Sequence, residues 1–386
     1  MTIRRTYLDH NATSPLRPEA RAAMLRVIDS SGNPSSIHAE GRAARAVIDK
    51  ARADVAALVG ADTGEVVFVS GATEAAATVI GHGWSRVFHA RSEHPCVAAS
   101  AAASAVRTGC RVVSLDIDAS GRIDPAVVAS AVERDAAAGC AVTGEKLVAV
   151  QFANNETGVV QPIAEIAREV KARGCWMMTD AVQAAGRLAI DFRACGADYL
   201  LVSSHKIGGP KGVGALVVRK GAPYLPLISG GGQEGGRRSG TEPVELIAGF
   251  GAAAVAARNE ARRAEIAALR DDLEARLTAI TPEWRFIGRG GERLVNTSLA
   301  WLPGARSETL VIAFDLAGIA VSSGAACASG KVKRSTVLQA MGYGEDVADA
   351  AIRFSLGWST TADDIAACAQ AWADIAGRTA PRRNVA

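Results

Sequence analysis

Several things are missing from this 386-residue chain, and each absence excludes a class of protein. Its seven cysteines are scattered singly and form no CxxC pair. A chain of this size needs no disulfide staples, so free thiols in a reducing cytoplasm are expected. No uninterrupted apolar run is long enough to span a bilayer, and the opening MTIRRTYLDHNATSP lacks the apolar core of a signal peptide, so no membrane partner is expected. The formal charge is only +3, with acids and bases interspersed. That leaves neither a basic stripe for nucleic acid nor an acidic tail. Nothing suggests a metal site. What is present is a hydrophobic fraction of 49%, enough for a large core, in a length that suggests two domains or one large domain with a lobe.

Short β-branched runs alternate with Ala-rich stretches of helical pattern. Candidate strands span 65–71, 86–90, 111–116, 146–152, 175–180, 199–203 and 214–219. Helices fall between most of them, such as 162–173, where Ile163, Ile166 and Val170 share a face. Such alternation predicts an α/β fold with a mostly parallel sheet covered on both sides, and ligands in such sheets bind beyond the strands' carboxyl ends. A long helical pattern with Ile266, Leu269, Leu273 and Leu277 on one stripe stops before Pro282. A smaller α+β segment follows, with strands near 295–301, 319–322 and 351–355, a helix at 308–316, and a last helix opening on a Thr361–Asp364 capping box. The expected domains are 1–250 and 251–386, with only the final APRRNVA expected to be disordered.

Three clusters sit at ends of successive strands. Ser70-Gly71-Ala72-Thr73-Glu74 runs from an apolar strand into a helix, where free N–H groups and a Thr hydroxyl can hold a phosphate; alone it could equally be an ordinary helix cap. Asp180 closes CWMMTD, and a carboxylate at a buried strand end needs a cation such as a pyridinium nitrogen, unless it caps the next helix. Ser203-Ser204-His205-Lys206 precedes a Gly-rich turn; a lysine there can form an imine if its surroundings lower its pKa, although a single lysine is more often a surface charge.

Taken in this order, with Tyr7-Leu8-Asp9-His10-Asn11-Ala12-Thr13, Gly32-Asn33-Pro34-Ser35-Ser36 and Ile352-Arg353-Phe354-Ser355-Leu356-Gly357, the chain resembles the cysteine desulfurases of the class V aminotransferase family, in the nitrogen-fixation and iron–sulfur-assembly group. The resemblance implies a fold-type I enzyme of pyridoxal 5'-phosphate, with a large seven-stranded domain and a smaller C-terminal one. Lys206 resembles the lysine that carries the cofactor as a Schiff base, Asp180 the pyridinium partner and Gln183 the partner of the ring hydroxyl. His94 resembles the imidazole that stacks on the ring and moves protons. Ala72, Thr73, Ser203 and His205 resemble the phosphate cup, which Thr241 of a partner subunit would complete in a homodimer. Asn155 would contact the cofactor–substrate adduct, and Arg353 would grip the carboxylate of L-cysteine.

Ser322-Ser323-Gly324-Ala325-Ala326-Cys327-Ala328-Ser329-Gly330 differs from every other cysteine context. Its small residues and two glycines predict a mobile surface loop, and Lys331, Lys333 and Arg334 favour a thiolate. An arbitrary loop cysteine would be a bystander, but this one resembles the sulfur-accepting cysteine of the family. The implied reaction leaves a persulfide on Cys327 and releases alanine. The sulfur would pass to an acceptor such as an iron–sulfur scaffold protein. Cys96, which opens an Ala-rich helix, is the competing thiol. Several positions depart from the family pattern: Ala325 stands where Ser is common, Gly208 where Tyr often occurs, and Ala76 and Ala77 where polar residues are usual. An aminotransferase, a kynurenine hydrolase and a selenocysteine lyase on the same scaffold are the rival enzymes. A scaffold or activator that has lost catalysis is the rival of another class.

Overall fold

A computed structural model of the chain describes residues 5–137, 144–324 and 334–379, so Cys140 and Cys327 lie outside the described residues. After β1 (Thr6–Tyr7), seven strands build one sheet: β2 (Val66–Val69), β3 (Arg86–Ala90), β4 (Arg111–Leu115), β5 (Lys146–Ala149), β6 (Trp176–Asp180), β7 (Tyr199–Ser203) and β8 (Gly214–Val218). Their order is β2-β8-β7-β6-β5-β3-β4, and only β8 runs against its neighbours. Every residue of β2, β3, β7 and β8 is buried, which is why β2, β7 and β8 read as apolar runs and not as alternating ones. Val67, Val69, Leu201 and Leu216 pack under the helices Ala72–Ile80 and Pro95–Thr108. Val66, Phe68, Leu200 and Val202 face the helices Ala39–Val59 and Val244–Ala257 on the other side.

The C-terminal part adds β9 (Arg285–Ile287), β10 (Thr297–Trp301), β11 (Ile319–Ala320), β12 (Ser322–Ser323) and β13 (Ala351–Ser355). Four of them form an antiparallel sheet in the order β12-β13-β10-β9. Its core is aromatic: Phe314 meets Phe354 edge-on at 5.5 Å and stacks on Trp372 at 5.9 Å. The last helix, Ala362–Thr379, opens on the expected reciprocal cap, Thr361 N–H to Asp364 at 2.9 Å and Asp364 N–H to the Thr361 hydroxyl at 3.3 Å.

Several strands are shorter than expected, Val66–Val69 within 65–71 and Lys146–Ala149 within 146–152, and one is divided. The run at 319–322 is split at Val321, because β11 pairs in parallel with β1 whereas β12 turns to pair against β13. The helix Val244–Ala257 runs through position 250, packed on the helices Pro18–Leu25 and Ala39–Val59, and the next helix is capped by Asn259. The N-terminal segment also crosses between the lobes. β1 and Leu8 belong to the C-terminal packing, and Asp9 bridges to Ser355.

Directly after β13, Gly357 lies against the ring of His10, and an added Cβ would stand 1.9 Å from its Nδ1. That ring is fully buried and bonded to the Ser14 hydroxyl at 2.8 Å, so it has nowhere to move. Gly357→Ala is expected to cost about 1–3 kcal/mol of stability. Urea unfolding would show this as a lowered midpoint with an unchanged slope. An unmoved midpoint would mean that the ring yields freely.

Candidate active site

β2, β3, β5, β6 and β7 all point the same way, so the residues that follow them emerge along one edge. A cavity of about 790 Å³ opens there. Ala72, Thr73, His94, Asn155, Asp180, Gln183, Ser203, His205, Lys206 and Arg353 all line it. Thr241 does not. It is exposed, beside Glu242, which is buried and paired with Arg45 at 2.9 Å.

Lys206 is delivered by β7 and one turn of 3-10 helix, Ser204–Lys206. Gly209 closes this turn, since a Cβ there would fall 2.1 Å from the Ser204 hydroxyl. The Lys206 amine donates to the carbonyls of Asn11 at 2.6 Å and Ala12 at 2.9 Å. Burial, with Arg353 and Arg187 nearby, lowers its pKa to about 8. On the order of a tenth of it is therefore a free amine at pH 7.

Asp180 ends β6, is buried, and accepts one N–H bond, from Val182 at 2.9 Å. Among the described residues no cation lies within ion-pair distance of it, and burial raises its pKa. A buried carboxylate without a cation, facing a cavity, fits a ligand that brings a protonated ring nitrogen. His94 caps the helix Pro95–Thr108, its Nδ1 accepting the Cys96 N–H at 3.2 Å. Hence the neutral ring carries its proton on Nε2. Burial lowers its pKa against the pull of Asp180, and Lys206 lowers it further.

The opposite end of the cavity suits an anion. The helix Ala72–Ile80 begins without a side-chain cap, leaving first-turn N–H groups available, and nothing lies within 4 Å of where a Cβ on Gly71 would stand. His205 holds the Thr13 hydroxyl at 3.1 Å. Burial, then Lys206, Lys211 and Arg187, bring its pKa to about 4, so it is neutral at pH 7. Glu74 is tied back by the Ser70 N–H at 2.8 Å and by Arg238 at 3.0 Å.

Arg353 reaches the cavity from β13, almost fully buried. It donates to the Asn155 carbonyl at 3.0 Å and to Asp9 at 2.8 Å, and its Nε–H has no partner among the described residues. Gln183 donates to the Asn11 carbonyl at 3.1 Å and accepts from Arg187. Sequence reasoning missed Asp9, Asn11, Ala12, Thr13 and Gln151 as lining residues. It also missed Glu93, buried behind the site with its Oε1 accepting the Gln151 N–H at 2.6 Å. Burial and Asp180 raise the Glu93 pKa well above its usual range. The Tyr7–Thr13 motif was a signal for the first four, but the use of backbone carbonyls leaves no side-chain signature.

Cys96 lines the same cavity, and burial, Asp180 and Glu93 push its thiol up to about 12. It is therefore a thiol at neutral pH and a poor nucleophile. Iodoacetamide at pH 7.5 is expected to leave the Cys96 peptide unmodified over the time that consumes an exposed thiol, as read by mass spectrometry. Rapid alkylation of Cys96 would return it to candidacy.

The model of the class-V aminotransferase family matches residues 6–368. A curated relative from Cereibacter sphaeroides, named cysteine desulfurase, is 41% identical over 371 residues, 94% of this chain and 93% of the relative. A solved NifS-like protein from Rickettsia africae superposes with a TM-score of 0.86 at 32% identity, covering 97% of this chain and 99% of that one. A structure of SspA in complex with cysteine superposes with a TM-score of 0.78 at 30% identity, over 91% and 98% of the two chains. The span of the family model includes both sheets and the residues that line the cavity. The chain belongs to the class V aminotransferase family, in its group of cysteine desulfurases and NifS-like proteins.

Proposed function

We propose that the chain is a cysteine desulfurase that holds pyridoxal 5'-phosphate on Lys206, converts L-cysteine to L-alanine and keeps the sulfur as a persulfide on Cys327. The observation that carries this reading is the placement of Lys206, whose amine has a lowered pKa, with the buried Asp180, His94 and an uncapped helix start around one cavity. The phosphate would lie on Ala72, Thr73, Ser203 and His205, the ring nitrogen on Asp180 and the ring hydroxyl on Gln183. Bound there, pyridoxal phosphate supplies an electron-poor ring that delocalises the charge left when an α-proton is removed. Lys206, once displaced by the substrate amine, is a base of suitable strength for that proton, and neutral His94 is a second proton carrier. Arg353 receives the substrate carboxylate with the N–H groups that Asp9 and Asn155 leave free, a planar fork being suited to bidentate binding. Asn155 contacts the bound substrate from the facing loop. Cys327, flanked by Lys331 and Lys333, takes the sulfur as thiolate and passes it to an acceptor protein such as an iron–sulfur scaffold.

A homodimer accounts for Thr241, exposed in its own chain and available to a neighbour's phosphate site. The Ser239 N–H binds the Ile228 carbonyl at 3.0 Å, which ties the segment leading to Thr241 to the exposed Leu225, Leu227 and Ile228, an apolar strip that a second copy would cover. The five described cysteines are unpaired, in keeping with a reducing, cytoplasmic setting. No helix among the described residues is long and apolar enough to cross a membrane. We take the lobes around the two sheets to be the two domains.

Capture of the cofactor needs the neutral amine, so in the cofactor-free protein its rate should rise with pH. Because the Lys206 pKa is lowered to about 8, the rate should be half-maximal near there, whereas an ordinary lysine would give about 10.4. The growth of visible absorbance measures this, and a midpoint above 10 would contradict the assignment; Lys206→Ala should show no such band and no turnover. Sedimentation at assay concentration should give a dimer, and a fully active monomer would remove the role of Thr241. Cys327→Ala tests the function directly. It should still turn yellow with cofactor and change its spectrum on adding cysteine, yet release almost no alanine or sulfide. The unmodified enzyme should carry added sulfur on the Cys327 peptide, removable by a reducing thiol. Sulfur found on Cys96 instead, or a fully active alanine variant, would sink the reading.

A further inference from the structure

One guanidinium joins three of the segments that make the site. Arg187 donates through Nη1 to the Gln183 carbonyl at 2.8 Å and to the Gln183 side-chain oxygen. Through Nη2 it reaches the carbonyls of Lys206 at 3.3 Å and His10 at 3.4 Å. All four acceptors are neutral. Among the described residues no carboxylate pairs with it, and burial, then Arg353, lowers its pKa to about 9. An arginine held without a counter-charge, across the post-β6, post-β7 and N-terminal segments, is costly unless its geometry matters.

The bonds fix the orientation of Gln183. A guanidinium has donors and no acceptor, so the amide oxygen must face Arg187. The amide nitrogen is then directed to the Asn11 carbonyl at 3.1 Å, and its second N–H is what the side chain offers to the cavity. Without Arg187 the amide could rotate by half a turn and present its oxygen instead. Gln183 is thereby committed to a ligand atom that accepts.

We propose that Arg187 is a positioning residue: it locks Gln183 as a hydrogen-bond donor toward an acceptor oxygen on the cofactor ring and braces the Lys206 turn against the N-terminal segment. The inference rests on the reading of this cavity as a pyridoxal phosphate site. The charge pattern agrees with it. Lys206 is faced by the cations Arg353 and Arg187, by the acids Asp180 and Asp9, and by the neutral rings of His94 and His205. Removing Arg187 removes one of two cations.

The test uses cofactor-free protein and pyridoxal phosphate itself, reading the pH midpoint of capture and the dissociation constant. In Arg187→Met the midpoint is expected to rise by roughly one unit, and affinity to fall roughly tenfold. If Arg187 acts through Gln183, the affinity losses of Arg187→Met and Gln183→Ala should overlap and not add in the double variant. Either an unshifted midpoint or fully additive losses overturns the proposal. Should the methionine variant fail to fold, Arg187→Lys decides: it keeps the cation and loses the multiple bridge, so the midpoint should stay while affinity falls. A lysine variant that binds as tightly as the unmodified protein overturns the proposal. If the unmodified protein captures no pyridoxal phosphate, or captures it at another lysine, the functional reading fails before any variant is compared, and the inference fails with it.

Discussion

The amine of Lys206 rests on two backbone carbonyls, those of Asn11 and Ala12, and the arrangement of the site follows from where those carbonyls come from. They belong to the segment that leaves β1, which is itself paired to the C-terminal lobe. The same segment supplies Asp9 to Arg353, the Asn11 carbonyl to Gln183 and the Thr13 hydroxyl to His205. A short stretch of chain thus touches the lysine, the anion end and the substrate end at once. Asn11 is further held by Thr297 at 2.9 Å and Asn296 at 3.0 Å, so its carbonyl is set by side chains of the small lobe. The geometry at Lys206 is inherited from both lobes.

The same enclosure sets the electrostatics. Removing water lowers the lysine and both histidines and raises Asp180 and Glu93, so the cavity favours neutral forms of its own groups. A charged ligand with a cationic ring and an anionic tail would find opposite ends suited to each. Asp180 is buried with no cation paired to it among the described residues, whereas the acid near the helix start, Glu74, is already tied to Arg238. The protein spends its ion pairs where an anion would otherwise be repelled and leaves one carboxylate unmatched where a cation is wanted.

Much of this was legible in the sequence because the central strands of the large sheet are buried on both faces. Strands such as YLLVS are apolar runs, and chemistry-bearing residues stand out where those runs stop. Asp180 and Lys206 were visible for that reason. The roles of Gln183, Asn155 and Thr241 came from resemblance, since nothing in their local pattern separates them from ordinary loop residues, whereas the small-residue setting of Cys327 marked it out and resemblance supplied its role. Arg187 and Glu93 were not legible at all. Each looks like a surface charge in the sequence, and only the tertiary structure encloses them. The split at Val321 was hidden because one β-branched run serves two sheets, and sequence periodicity does not record a change of partner.

The pairing of β1 with β11 has a consequence for synthesis. β1 leaves the ribosome more than three hundred residues ahead of its partner, Thr6 pairing with Ile319. Until then the carbonyls of Asn11 and Ala12 have no scaffold, even though the large sheet could already have closed around β7. A nascent chain would therefore carry Lys206 on a folded sheet but without its cradle, and such non-local closure is slow. Closure of the small lobe on β1 is what fixes those carbonyls against the Lys206 amine, so the cradle is complete only after both lobes have been made.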